Sequence, residues 1–152
     1  MARSFGKWLL PISAIAIVAA FVVWRVHEDR QQRLVSWVLA APDRVEAFRI
    51  TPKGGIIYST TPDRASAAEL RAFLADPRNY PAPKSQDDAH TCVPQPGIAV
   101  HFRRGESHVE ATFCFECCEL WLVPTGGGYF CERRAELARI MHKIFPRERA
   151  FD

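Results

Sequence analysis

The run from Trp8 to Trp24, WLLPISAIAIVAAFVVW, holds 17 residues and not one charge. A stretch this apolar has too little protein around it in a small chain to be shielded from water, so it divides the sequence before any other feature does. As a helix it is about 25 Å long, at the short end for a bilayer core of about 30 Å. Trp8 and Trp24 stand at its two ends, where interfacial tryptophans belong. Arg3 and Lys7 precede it and Arg25 follows. Pro11 falls in the first turn, where its missing N–H costs little.

Three readings compete for this segment. A cleaved signal peptide would use Ala16, Val18 or Ala20 as the small residues before the cut, but Phe21, Val22, Val23 and Trp24 would then form a greasy new terminus. A buried core helix that is apolar all round needs a large protein about it. The favoured reading is a transmembrane anchor over residues 1–25, touching the lipid bilayer through residues 8–24. Lys and Arg nearly balance at its ends, with Arg3 and Lys7 against Arg25, Arg30 and Arg33. A short tail before a long C-terminal region points the tail to the cytoplasm and the domain outside it.

Residues 26–42 read as a juxtamembrane helix or linker. Leu34, Val38 and Ala41 recur at helical spacing and Pro42 closes the segment. The charges of HEDRQQR suit a solvated helix surface. Residues 43–152 then form one small domain, since the chain beyond the anchor is about 110 to 125 residues.

Within that domain, VEAFRI at Val45–Ile50 and GIIYST at Gly55–Thr60 predict a hairpin across Pro52-Lys53-Gly54-Gly55. A helix follows, capped by Thr61 or Ser66, with Ser66-Ala67-Ala68-Glu69 as a capping box and Ala67, Leu70, Phe73 and Leu74 on its buried face. Asp76-Pro77 ends it. Asn79 to Gln95 is Pro-rich and polar and reads as a loop. Ile98, Val100 and Phe102 alternate with Ala99 and His101, and Val109, Ala111, Phe113 and Phe115 alternate likewise. Arg104-Gly105-Glu106-Ser107 joins them as a second hairpin. ELWLV at Glu119–Val123 is a further strand, and Pro124 to Gly128 a flexible turn. Leu137, Ile140, Met141, Ile144 and Phe145 mark the last helix. The order β-β-α-β-β-β-α implies an α+β domain, a mostly antiparallel sheet with two helices packed on one face.

Five cysteines carry the chemical signal: Cys92, Cys114, Cys117, Cys118 and Cys131. Cys114 and Cys117 are three apart, so on a straight strand they point to opposite faces. They act together only where the chain turns at Phe115-Glu116. If Arg104 pairs with Ser107, paired positions sum to 211, and extending that register sets Cys92 opposite Glu119, beside Cys118. Disulfides suit a domain outside the cytoplasm, with at least one thiol left over from an odd count. A zinc site would draw on Cys92, Cys114 and Cys117, completed by Cys131 or His90, because C-x2-C supplies two soft donors of a tetrahedron. The second knuckle that would make this signal strong is missing. A redox dithiol needs a helix N-terminus after C-x-x-C, and ELWLV follows instead. Haem attachment fails because position 118 is Cys. Small buried thiols are the plainest alternative.

Net charge is +3 and the arginines are scattered, so nucleic acid is set aside as a partner. There is no nucleophile elbow, phosphate loop, dinucleotide fingerprint or zinc-protease motif. His101 and His108 fall on the outer face of the second hairpin, His90 in the polar loop and His142 beside the apolar stripe of the last helix. Glu116, between two cysteines, is a lone candidate acid or base. Gly126 to Gly128 could approach a phosphate, yet no basic helix N-terminus follows closely.

Cys92, Pro94, Pro96-Gly97, Gly105 and Cys114-Phe115-Glu116-Cys117 together resemble a family of uncharacterised bacterial proteins that are secreted or membrane-tethered. The pattern is a Cys, a Pro- or Gly-containing step, a strand, a Gly turn, and a strand ending in C-F-x-C. It covers about 30 residues, Cys92 to Val123, and Cys118 departs from it. The resemblance implies location and fold, and no activity. The expected function is a non-enzymatic domain at the membrane face that recognises a partner or joins an envelope assembly. The alternative is a metal or thiol module working through Cys92, Cys114 and Cys117, with zinc as the cofactor.

Overall fold

The computed structural model describes residues 6–51, 53–81, 97–148 and 151, with side chains from residue 16 onward. Helix α1 (Gly6–Ala40) leads into strands β1 (Arg44–Ile50) and β2 (Ile56–Thr60), helix α2 (Arg64–Ala75), strands β3 (Ile98–Arg104), β4 (Ser107–Cys114), β5 (Glu119–Val123) and β6 (Gly126–Tyr129), and helix α3 (Arg134–Ile144). The fold is α+β. The six strands form one antiparallel sheet in the order β2-β1-β3-β4-β5-β6.

The chain divides into two units, Met1–Arg33 and Leu34–Asp152. In the first, seven apolar side chains from Ile17 to Val26 stand 52–69% exposed. Among the described residues no helix is long and apolar enough to cross a membrane, and the side chains of residues 8–15, half of the uncharged run, lie outside those described.

The second unit begins with the last two turns of α1, since Val35, Val38 and Leu39 are buried in the core. Three contacts hold this end down. Arg71 of α2 donates to the carbonyls of Leu39 and Ala40 at 3.2 and 2.9 Å, capping a helix terminus that a cation favours. Arg104 donates to the Trp37 carbonyl at 2.6 Å and lays its guanidinium 4.3 Å from the Trp37 ring centre. Asp43 takes the backbone N–H of Gly105 at 2.7 Å.

Sheet alternation decides where the core lies. Ala47, Val100, Ala111 and Leu122 form one cross-strand row, and Ile98, Phe113 and Leu120 the next. All are buried with Leu70, Phe73 and Leu74 of α2 and Leu137, Ile140, Met141 and Ile144 of α3. The helices therefore cover one face. The alternate residues Phe48, His101, Glu110, Thr112, Trp121 and Tyr129 are all only half-buried. The β3–β4 register keeps the sum of 211 from Arg104↔Ser107 to Ile98↔Phe113.

Three local expectations are corrected. Asp63, not Thr61 or Ser66, caps α2: its carboxylate accepts from the N–H groups of Ala65 and Ser66 at 2.8 and 2.9 Å and from the Ser66 hydroxyl at 2.6 Å. An acceptor one turn earlier starts the helix earlier, and Glu69 is left free of any capping box to pair with Arg139 and Lys143 of α3. Pro124 to Gly128 is not all turn. The turn is Pro124-Thr125, and Gly126–Tyr129 is a sixth strand. Gly127 and Gly128 reflect close approach, because a Cβ at Gly127 would collide with the Leu120 carbonyl and one at Gly128 with the Tyr80 carbonyl, while Gly126 holds a φ of 93°. The β3–β4 register does not extend to Glu119, since β4 ends at Cys114 and Glu119 pairs back against Cys114 from β5. Cys92 itself lies outside the described residues.

Phe113 sits fully buried at the middle of the helix-covered face. Phe113→Ala is expected to lower unfolding stability by about 3–5 kcal/mol. Urea denaturation of the detergent-solubilised chain, followed by tryptophan fluorescence, measures this.

Candidate functional site

Cys114, Cys117, Cys118 and Cys131 gather where the sheet meets the start of α3. β4 runs to Cys114, residues 115–118 turn, and Glu119 opens β5 directly opposite Cys114. On its other side Glu119 faces Tyr129 of β6. Cys114, Glu119 and Tyr129 thus form one cross-strand row on the face away from the helices. Just beyond Tyr129, the Phe130 N–H donates to the Cys118 carbonyl at 2.8 Å. That bond brings the short 3-10 turn Cys131–Arg133, and Arg134 behind it, against the hairpin turn.

Cys118 closes the turn with φ of 54°, a left-handed conformation that costs a residue with a Cβ on the order of 1–2 kcal/mol. Its thiol is half-buried, and its pKa is pushed up to about 11. Burial is the main cause, followed by the hydrogen bond to the Cys131 thiol and the charge Cys131 would carry; Arg134 works the other way. Cys114, Cys118 and Cys131 carry thiols, the first buried and the last exposed. Cys117 is buried in the turn.

Glu119 is a charged residue at the head of an apolar strand and is only 8% exposed. The Tyr129 hydroxyl donates to it, and this bond, followed by burial, raises the Tyr129 pKa. The Oε2 atom of Glu119 is buried without a hydrogen-bond partner among the described residues. A carboxylate oxygen in that position carries an unrecovered desolvation cost. Next to it lies a depression of about 190 Å³ lined by Glu119, Leu120, Trp121, Gly127, Gly128 and Tyr129. Trp121 stands opposite Gly127, so one aromatic wall faces a strand that has no side chain. Two aromatic rings beside a carboxylate favour a cationic group.

The sequence-derived candidates separate as follows. The chain does turn at residues 115–118, with Cys114 at the end of β4 just before it and Cys117 within it. Cys92 and His90 lie outside the described residues. Among the described residues no three of His, Cys, Asp and Glu converge to hold a metal ion. Glu116 is exposed at the tip of the turn. His101 pairs with Glu110 at 3.2 Å and rests 4.7 Å from the Phe48 ring centre, and His108 is exposed. His142 meets Phe151 edge-on at 5.1 Å. Sequence reasoning missed Glu119, Trp121 and Tyr129. The signals were there, a Glu heading an apolar strand and a Tyr ending a glycine run.

Compared with protein families, characterised proteins and solved structures, the chain matches none.

Glu119→Gln removes the negative charge that Tyr129 donates to. The Tyr129 pKa should fall toward the ordinary tyrosine value, so the phenolate appears at lower pH than in the parent. Ultraviolet titration near the phenolate band, with Tyr129→Phe to assign the step, checks it.

Proposed function

We propose that this chain is a membrane-anchored, non-enzymatic recognition domain, held to a bilayer through residues 8–24 with the domain on the extracytoplasmic side. The observation that carries the reading is the exposure of Ile17, Val18, Phe21, Val22, Val23, Trp24 and Val26 around one helix. At about 1.5–3 kcal/mol for each large side chain removed from water, this surface favours lipid by on the order of 10 kcal/mol. The uncharged run from Trp8 continues it in sequence, and its bracketing tryptophans suit the two interfaces. The resemblance of Cys92 to Val123 to bacterial membrane-tethered and secreted proteins agrees.

Recognition falls to the sheet face that the helices leave uncovered. The partner surface it suits bears a lysine or arginine, placed at Glu119 between Trp121 and Tyr129. The zinc alternative is weakened by Cys117. Cys114, Cys118 and Cys131 are thiols, and Cys117 is not among them. A Cys92–Cys117 disulfide accounts for all five cysteines, fits an oxidising compartment, and withdraws two of the three proposed metal ligands.

Two measurements test this reading. The full-length chain should stay with membranes after alkaline carbonate washing, and Val18→Arg with Val22→Arg should shift most of it to the aqueous fraction. An aqueous parent protein would refute the anchor. Peptide mapping under non-reducing conditions should show Cys92 linked to Cys117, with no stoichiometric zinc by elemental analysis.

A further inference from the structure

Cys118 and Cys131 belong to two turns joined by the Phe130–Cys118 backbone bond of 2.8 Å. That bond lies one residue before Cys131, so it sets the spacing of the two backbones at the cysteines themselves. The two thiols are in hydrogen-bond contact. A disulfide requires Cα atoms about 4.4–6.8 Å apart with side chains that converge, and thiols already hydrogen-bonded across neighbouring chains meet the second condition. Cys131 is exposed and Cys118 half-buried behind it.

We propose that Cys118 and Cys131 form a redox pair, interconverting between a hydrogen-bonded dithiol and a disulfide by exchange with a low-molecular-weight disulfide. The site does not involve Cys117 and does not depend on the anchor. Cys131 reacts first because it is the more exposed of the pair. Its thiol gives a proton to water, and the sulfur attacks one sulfur of the oxidant. The oxidant's S–S bond breaks, and its other half leaves as a thiolate that takes up a proton. Cys118 then loses its proton and attacks the Cys131 sulfur, and the second half of the oxidant leaves as a thiol. Two cysteine S–H bonds and one oxidant S–S bond are lost, and one protein S–S bond and two oxidant S–H bonds are gained. The raised Cys118 pKa leaves the first attack to Cys131, and the part of the rise that comes from the Cys131 thiol and its charge is lost once Cys131 is in the mixed disulfide. Arg134, which favours the Cys118 thiolate, assists the second attack. Cys114 is close enough to influence Cys118 but is fully buried, beyond reach of an oxidant in solution.

The test uses the full chain in detergent, gently reduced, then incubated with oxidised glutathione and mapped by mass spectrometry. The expected product links the Cys118 and Cys131 peptides, lighter by two hydrogens and carrying no glutathione. Cys118→Gly, which keeps the left-handed turn at little cost, should leave Cys131 holding one glutathione as a stable adduct. Cys114→Ala should not change the linkage. Glutathione persisting on Cys131 in the parent, or a Cys114–Cys118 bridge in its place, would overturn the assignment.

Discussion

An antiparallel sheet covered by helices on one face has a second face that must meet something else. Here the asymmetry follows from alternation along the strands. Ala47, Val100, Ala111 and Leu122, with Ile98, Phe113 and Leu120, sit beneath α2, α3 and the end of α1. Every residue between them along a strand is turned away by the pleat. Once the first row is committed to the core, Phe48, His101, Thr112, Trp121 and Tyr129 have no choice of face. Their half-burial is a consequence of core packing, and it leaves aromatic surface available to a partner.

The same geometry explains why Glu119 is unusual. Its neighbours in sequence, Leu120 and Leu122, are core residues, so its parity sends it to the other face, between Cys114 and Tyr129. A carboxylate at the end of a sheet is ordinarily wetted. This one is closed in, with Tyr129 donating to it and one oxygen without a hydrogen bond among the described residues. Stability alone would favour an apolar residue there, because a buried acceptor with no donor costs more than a methyl group of similar size. A contact that supplies a positive charge would recover that cost.

Legibility from sequence followed the range of the forces involved. The strands at Val45–Ile50 and Ile98–Phe102 and the last helix were readable because one-sided burial imposes a period of two or 3.6 on apolar residues over several turns. The β3–β4 register was readable because a two-residue turn fixes it locally. The sixth strand was not. Gly126 to Gly128 carry no periodic signal, and they are strand through their pairing with β5, with no room for a side chain at Gly127 or Gly128. The cap of α2 misled because Asp63 and Ser66 are both good caps, and the choice between them rests on a carboxylate reaching two N–H groups at once. The site was half legible. CFECC announced a turn with sulfur at both ends, but Cys131 and Tyr129 join it only through the β5–β6 pairing.

That pairing also bears on how the thiol end and the notch are related. Tyr129 hydrogen-bonds Glu119, Phe130 bonds the Cys118 backbone, and Cys131 touches the Cys118 thiol, three consecutive residues engaging three points of one hairpin. A covalent bond at the third point would restrain the second, and the second is one residue from the Tyr129 that closes over the carboxylate. Restraint at the sulfurs thus reaches the notch through only two residues of backbone. Cys118 strengthens this coupling because it holds a left-handed φ that a free turn would relax, so its position depends on what Phe130 and Cys131 do. The chemistry of the sulfurs and the shape of the aromatic notch are, on this geometry, two properties of one short segment.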